Sequence, residues 1–234
     1  MPGEWDGKVV MITGANGGLG SAVVRRFHAV GASLALVARR ADDAKNLVPD
    51  RAFAVGADVT DKTSVQAAVN QIAAHYGRID ALVHTVGGYG GGKAVHEVDL
   101  DLWDRMMTLN ARSVYITAGT VANYMLEQNI AGSIVVVLAR HALEGAKNHS
   151  AYGASKAAAQ RIVQSMAKEL LDRGIRVNGV MPGTIDTEAN RRDMPNADFS
   201  KWVRPEEIAD VMLFLCSDQS KPISGDSIAV YGRS

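Results

Sequence analysis

Two hydrophobic rhythms alternate along the chain. Short, mainly apolar runs occupy residues 9–12, 34–38, 52–55, 81–84, 134–138 and 227–230, with a more mixed one, RVNGV, at 176–180. An unbroken apolar run predicts a strand covered on both faces. Between the runs, apolar residues recur every three to four positions and predict helices over about 18–30, 61–75, 101–128, 151–173 and 205–216. Strand–helix alternation of this kind predicts an α/β domain with a parallel sheet and helices on both faces. No internal repeat or linker-like stretch interrupts it, so residues 1–234 read as one domain. Segments 87–92 and 184–202 fit neither rhythm. Both follow the C-terminal ends of predicted strands, where open α/β sheets bind ligands.

Composition removes several function classes. The chain is 47% hydrophobic and 21% charged with zero formal net charge, and it has no long Lys/Arg run. Nucleic acid and anionic membranes are therefore not expected partners; a small-molecule substrate is. Cys216 is the single cysteine and lies in an apolar helical pattern, so it reads as a core residue. With no intrachain disulfide possible, a reducing compartment fits best. No apolar stretch reaches membrane-spanning length, and the first residues lack a basic-then-apolar leader. The expected location is the cytoplasm, and no metal site is expected.

Candidate chemistry begins at residues 13–20, TGANGGLG, between the first predicted strand and helix. Gly14, Gly18 and Gly20 leave no side chain between the backbone and a bound pyrophosphate, and the helix N-terminus supplies amide donors. A plain strand-to-helix turn is the other reading. Tyr152 and Lys156 stand four apart on a predicted helix and so share a face. A free phenol titrates near ~10, too high for efficient proton exchange at neutral pH. A neighbouring ammonium is expected to lower it. An ordinary surface Tyr–Lys pair has the same spacing.

The G-x-x-x-G-x-G loop together with Tyr152-x-x-x-Lys156 resembles the short-chain dehydrogenase/reductase family, over nearly the whole chain. The resemblance implies a single-domain Rossmann fold, doubly wound, with a seven-stranded parallel sheet in the order 3-2-1-4-5-6-7. It implies a nicotinamide dinucleotide held by Gly14, Asn16, Gly17, Gly18, Leu19 and Gly20, with Asp58 and Val59 of "DVT" at the adenine. It adds Gly87 of "HTVGG" and Pro182, Gly183, Ile185 and Thr187 of "VMPGTIDT". Tyr152 would donate the proton, Lys156 would tune it and hold the nicotinamide ribose, and Asn110 would order a relay water. Members of the family are dimers or tetramers. The small and apolar residues of "AAAQRIVQSMAKELL" suit either an interface or a face spent inside the subunit.

The second predicted strand ends "LVARR", where NAD-dependent enzymes place an acid for the ribose 2′-hydroxyl. Ala38 followed by Arg39 and Arg40 favours NADP(H) over NAD(H), because Arg pairs with a 2′-phosphate. Solvated surface arginines are the other reading, and Gly17 stands where many NADP-preferring relatives carry a second base.

The family serine usually precedes the tyrosine by thirteen positions. Here that position is Ala139. Loss of one such donor costs about 3–4 kcal/mol of transition-state stabilisation. Three accounts compete: His141 or His149 substitutes, with Ser150 reading better as a helix N-cap; the protein is a non-catalytic dinucleotide sensor; or the substrate needs no such donor. For the third, "LARHALEG" at 138–145, "VGGYGGGKA" at 86–94 and "MP-x-ADFS-x-W" within 184–202 resemble the dihydropteridine reductase branch of the family, which also has Ala in place of Ser. That resemblance implies hydride transfer to a conjugated or quinonoid heterocycle under a lid at about 184–203. Tyr89 and Trp202 then either stack on the substrate or pack the lid, and Trp103 is expected in the core. With Ala139 and His141, Tyr89 and Trp202 are the candidate substrate-side residues. Two features depart from that branch: it prefers NADH and carries an acid where this chain has Ala38-Arg39, and Asn110 is retained here as in ordinary members of the family.

Overall fold

The computed structural model describes residues 3–48 and 50–233. Seven strands form one parallel sheet: β1 (Val9–Thr13), β2 (Ser33–Ala38), β3 (Ala52–Gly56), β4 (Ala81–His84), β5 (Ser133–Val137), β6 (Arg176–Pro182) and β7 (Ser227–Val230). Their order is β3-β2-β1-β4-β5-β6-β7. The expected fold and strand order are both found. The reversal between β1 and β4 opens a crevice at the carboxyl edge, with Thr13 in register with His84.

Both faces of the sheet are covered, which explains the unbroken apolar runs. Val9 and Met11 of β1 enter one core layer, and Val10 and Ile12 enter the other. The first layer is closed by α2 (Lys62–Tyr76), α4 (Ser113–Glu127) and α5 (Ser150–Glu169). The second is closed by α1 (Gly18–Ala29) and α7 (Pro205–Cys216). Helix α2 starts where Asp61 accepts from the amides of Thr63 and Ser64, and stops at Gly77 with φ 75°. Cys216 packs against the second layer, as expected of a core residue.

Three local expectations are corrected. The single helix expected over 101–128 is α3 (Leu100–Met106) and α4 joined by a π-helical segment, Met107–Arg112. Periodicity over so long a stretch does not register one widened turn. Trp103 is 42% exposed, because α3 buries Leu102 and Met106 and turns the indole outward. Ser150 is the first helical residue of α5, and His149 takes the cap position without a side-chain bond. Within 184–203 the chain also forms a short helix, α6 (Glu188–Asp193), whose polar sequence carries no apolar period.

Candidate active site

The glycine loop is shaped by contacts that exclude side chains. Gly14 has φ +70°, and a Cβ on Gly20 would fall 2.0 Å from the Gly14 carbonyl oxygen. The loop backbone therefore folds back on itself beneath the start of α1, whose N-terminus no side chain caps. Its free amides face a cavity of about 700 Å³ lined by Gly14, Asn16, Gly17, Gly18, Leu19 and Gly20 on one wall. Arg39, Asp58, Val59 and Gly87 of the expected set also line it, with Ala38, Asp43, Thr60, Thr85 and Leu109 beside them; Tyr152, Lys156, Pro182, Gly183, Ile185 and Thr187 are not on its walls. Thr60 and Thr85 belong to the DVT and HTVGG segments but were given no role there, while Asp43 and Leu109 enter from neighbouring elements. Thr187 reaches the same loop: a Cβ on Gly18 would lie 2.8 Å from its Cγ2. Pro182 closes β6, and Gly183 donates to the Val230 carbonyl at 3.0 Å. Ile185 bridges to Val203 and is tied to the second core layer. Uncapped amides, a loop without side chains and a cavity of this size fit a dinucleotide.

At the adenosine end, Arg40 donates to Asp43 at 2.7 Å, leaving Arg39 on the cavity wall with no ion-pair partner among the described residues. Asp58 accepts from the amide and hydroxyl of Thr60 at 2.9 and 2.7 Å, which holds its carboxyl below the usual range.

At the other end, Lys156 is buried and donates from Nζ to the Val137 carbonyl at 3.0 Å. Burial holds its pKa down to about 8. Tyr152 does not show the expected depressed value: burial, with the Tyr89 phenol adding, pushes it up to about 12. The Lys156 ammonium points one hydrogen at a main-chain carbonyl and does not offset this burial, so desolvation decides the phenol. Asn110, in the π-helical segment, does not face open space. Its Nδ2 donates to the Gly88 carbonyl at 2.9 Å and to Ser155 Oγ at 3.0 Å, and its Oδ1 accepts from the Gly88 amide at 2.9 Å. A Cβ on Gly87 would lie 2.9 Å from Asn110 Oδ1 and 3.1 Å from Lys156 Nζ, so these two groups flank one glycine.

Ala139 follows β5 in extended conformation and is buried at 6% exposure. Around Tyr152 stand Tyr89, with ring centroids 5.2 Å apart, and His141, at 5.4 Å. His149 completes the group, 5.3 Å from the His141 ring and hydrogen-bonded to the Tyr89 hydroxyl. Burial, then the neighbouring His149, holds His141 below the ordinary histidine value. Trp202 stands apart from this group. It packs on Phe199 at 4.7 Å and lines a second cavity of about 430 Å³ with Arg191, Arg204 and Arg233.

A family model described as short chain dehydrogenase matches residues 8–198. The chain belongs to the short-chain dehydrogenase family. It is 32% identical to the 3-oxoacyl-[acyl-carrier-protein] reductase FabG of Thermotoga maritima, over 97% of this chain and 97% of that one. It is 34% identical to the D-threitol dehydrogenase of Mycolicibacterium smegmatis, over 97% and 92%. Among solved structures, a short-chain type dehydrogenase/reductase from Mycobacterium marinum superposes with a TM-score of 0.89 at 30% identity, covering 98% of this chain and 96% of that one. As a member of the short-chain dehydrogenase family, the protein is an NAD(P)-dependent oxidoreductase acting on a small molecule. No helix among the described residues is long and apolar enough to cross a membrane, and no group of three or more metal-ligating side chains occurs among them.

Proposed function

We propose that this enzyme reduces a conjugated heterocyclic or quinonoid substrate, prefers NADP(H), and uses Tyr152 as the proton donor. The observation that carries this reading is Ala139: the position that would cradle a localised ketone oxyanion presents a methyl group, while the exposed Tyr89 ring stands beside Tyr152. A substrate that spreads the incoming charge over a ring system has least need of that donor. A flat substrate also suits the aromatic wall. The bound dinucleotide supplies a hydride. The glycine loop, Asp58 and Thr187 bind it, and Arg39 is placed for a 2′-phosphate, with the Asp43 carboxylate already held by Arg40. Tyr152, with its pKa pushed up to about 12, keeps its proton until the substrate takes electrons. Lys156 sits behind it as a buried amine and holds the ribose side of the site. Asn110 fixes the loop that carries Gly87 and Gly88 rather than reaching the substrate itself. The 184–203 segment is the lid, and the active form is a homodimer or homotetramer.

A second reading, reduction of a simple carbonyl, is favoured by His141, whose neutral ring meets Tyr152 edge-on and has an N–H to offer. NADPH oxidation with quinonoid dihydropterin, an aromatic ortho-quinone and a simple ketone separates the two. Turnover of the first two, lost in Tyr152→Phe, supports the proposal. Faster turnover of the ketone, abolished by His141→Ala, replaces it with the second reading.

A further inference from the structure

We infer that the Tyr89 hydroxyl, beside Tyr152, donates a hydrogen bond to the delocalised substrate, a weaker aid than a donor at position 139 would give, and that His149 controls it by its own protonation. The inference rests on the reading of Tyr152 as the proton donor.

The argument is one of hydrogen counting. His149 Nδ1 lies 2.6 Å from the Lys147 carbonyl, which can only accept, so Nδ1 carries a hydrogen. In the neutral ring Nε2 then has only a lone pair. The Tyr89 hydroxyl, its hydrogen-bond partner, must donate to it, and the phenol hydrogen is spent. In the imidazolium both nitrogens donate. Nε2–H then points at the Tyr89 oxygen, the bond survives with its direction reversed, and the phenol hydrogen is released toward the substrate side. No proton is transferred to the substrate from Tyr89; it contributes a hydrogen bond, while Tyr152 remains the acid.

Geometry holds both partners in place. A Cβ on Gly91 would lie 2.8 Å from His149 Cδ2, so the imidazole sits flush against the loop that bears Tyr89. The Gly92 amide donates to the Asn148 carbonyl at 2.9 Å, clipping the two loops together. Tyr89 is 68% exposed, and its ring stands 5.2 Å from that of Tyr152. It is therefore both reachable by a ligand and adjacent to the acid. The titratable groups facing His149 are Tyr89 from its loop and His141 from the turn after β5, with Tyr152 of α5 behind them. Arg140 and Glu144, paired with each other, act on His141. None of the described ion pairs involves His149, so no carboxylate pins its charge.

Under this scheme Tyr89 is a catalytic residue and His149 a positioning residue. The test is kcat/KM from pH 5 to 9, with NADPH and quinonoid dihydropterin or an ortho-quinone, for the wild type, Tyr89→Phe, His149→Asn, His141→Ala and Tyr152→Phe. The expected wild-type profile falls by about 10–100-fold across this range as rising pH takes the proton from His149, below the full effect of a buried donor because Tyr89 is exposed. Tyr89→Phe and His149→Asn are expected to lie on the low level with that limb gone. A wild-type profile retained in Tyr89→Phe overturns the inference. A limb lost only in His141→Ala assigns the donor to His141 instead. Activity indifferent to Tyr152→Phe overturns the functional reading itself, a separate failure. Should neither acceptor be reduced, nitrogen-15 shifts of His149 decide: the neutral ring must be the Nδ1–H tautomer, and the Nε2–H tautomer refutes the scheme.

Discussion

The Asn110 carboxamide and the Gly88 peptide close a two-way hydrogen-bonded ring, with Oδ1 accepting from the amide and Nδ2 donating to the carbonyl, each at 2.9 Å. The π-helical turn that carries Asn110 is thus fastened to the loop that follows β4. Asn110→Ala leaves both half-buried Gly88 groups without these partners and opens a void at a buried position. It is expected to cost about 2–4 kcal/mol. Urea unfolding checks this: the midpoint should fall while the slope is unchanged.

The glycine loop makes a sharper prediction. Alanine at Gly20 brings Cβ against main-chain oxygen, which cannot swing aside as a side chain can. Gly20→Ala should weaken dinucleotide binding by at least about tenfold, read by titration calorimetry, because the α1 amides must shift. Gly119 is the contrasting case. It lies inside α4, and a Cβ there meets nothing within 4 Å, so Gly119→Ala should stabilise by about 0.5–1 kcal/mol and leave binding unchanged.

Arg39 tests the cofactor preference. Arg39→Asp places a carboxylate where the proposal puts a 2′-phosphate. The KM ratio of NADPH to NADH should rise by about 10–100-fold, the range of one charge-assisted hydrogen bond. An unchanged ratio would return Arg39 to the role of a solvated surface charge.

His84 predicts acid sensitivity. Ser113 gives its only hydrogen to the Leu109 carbonyl at 2.6 Å, so His84 Nε2 donates to Ser113, and Nδ1 accepts from the Thr13 hydroxyl at 2.9 Å. The ring is neutral, and burial holds its pKa down to about 3. Between pH ~6.5 and ~3 the unfolded chain binds a proton that the folded chain refuses. Stability therefore falls on acidification through that window, by up to about 5 kcal/mol at its end. His84→Asn should flatten the dependence of unfolding free energy on pH over this range, whatever it does to the absolute value.

The strands and the glycine loop were legible because each rests on a local signal, apolar runs and glycines at fixed spacing; the strand order and the place of Asp58 came from the family resemblance. What escaped depends on encounters between distant segments. Nothing in the neighbourhood of Tyr89 announces His149, sixty residues later, as its partner. Spacing left Trp202 open between stacking on a substrate and packing the lid; Phe199, three residues before it, stands against its ring at 4.7 Å. Tyr152 was expected to be acidified by Lys156. The structure shows the amine turned to Val137 and burial dominating, a balance that spacing alone does not reveal.

The loop carrying Tyr89 is sewn down at both ends, through Gly88 to Asn110 and through Gly92 to Asn148. Segment 184–203 is tied down as well: Ile185 bridges to Val203, the Asp186 amide donates to the Val203 carbonyl at 2.8 Å, Arg191 pairs with Asp186 and lies over the Phe199 ring, and the Arg233 amide donates to the Lys201 carbonyl at 3.0 Å. The wall that Tyr89 forms is thus shaped before any ligand arrives. Discrimination among flat substrates should then be written chiefly in this sewn loop, as a template cut in advance and not moulded on contact.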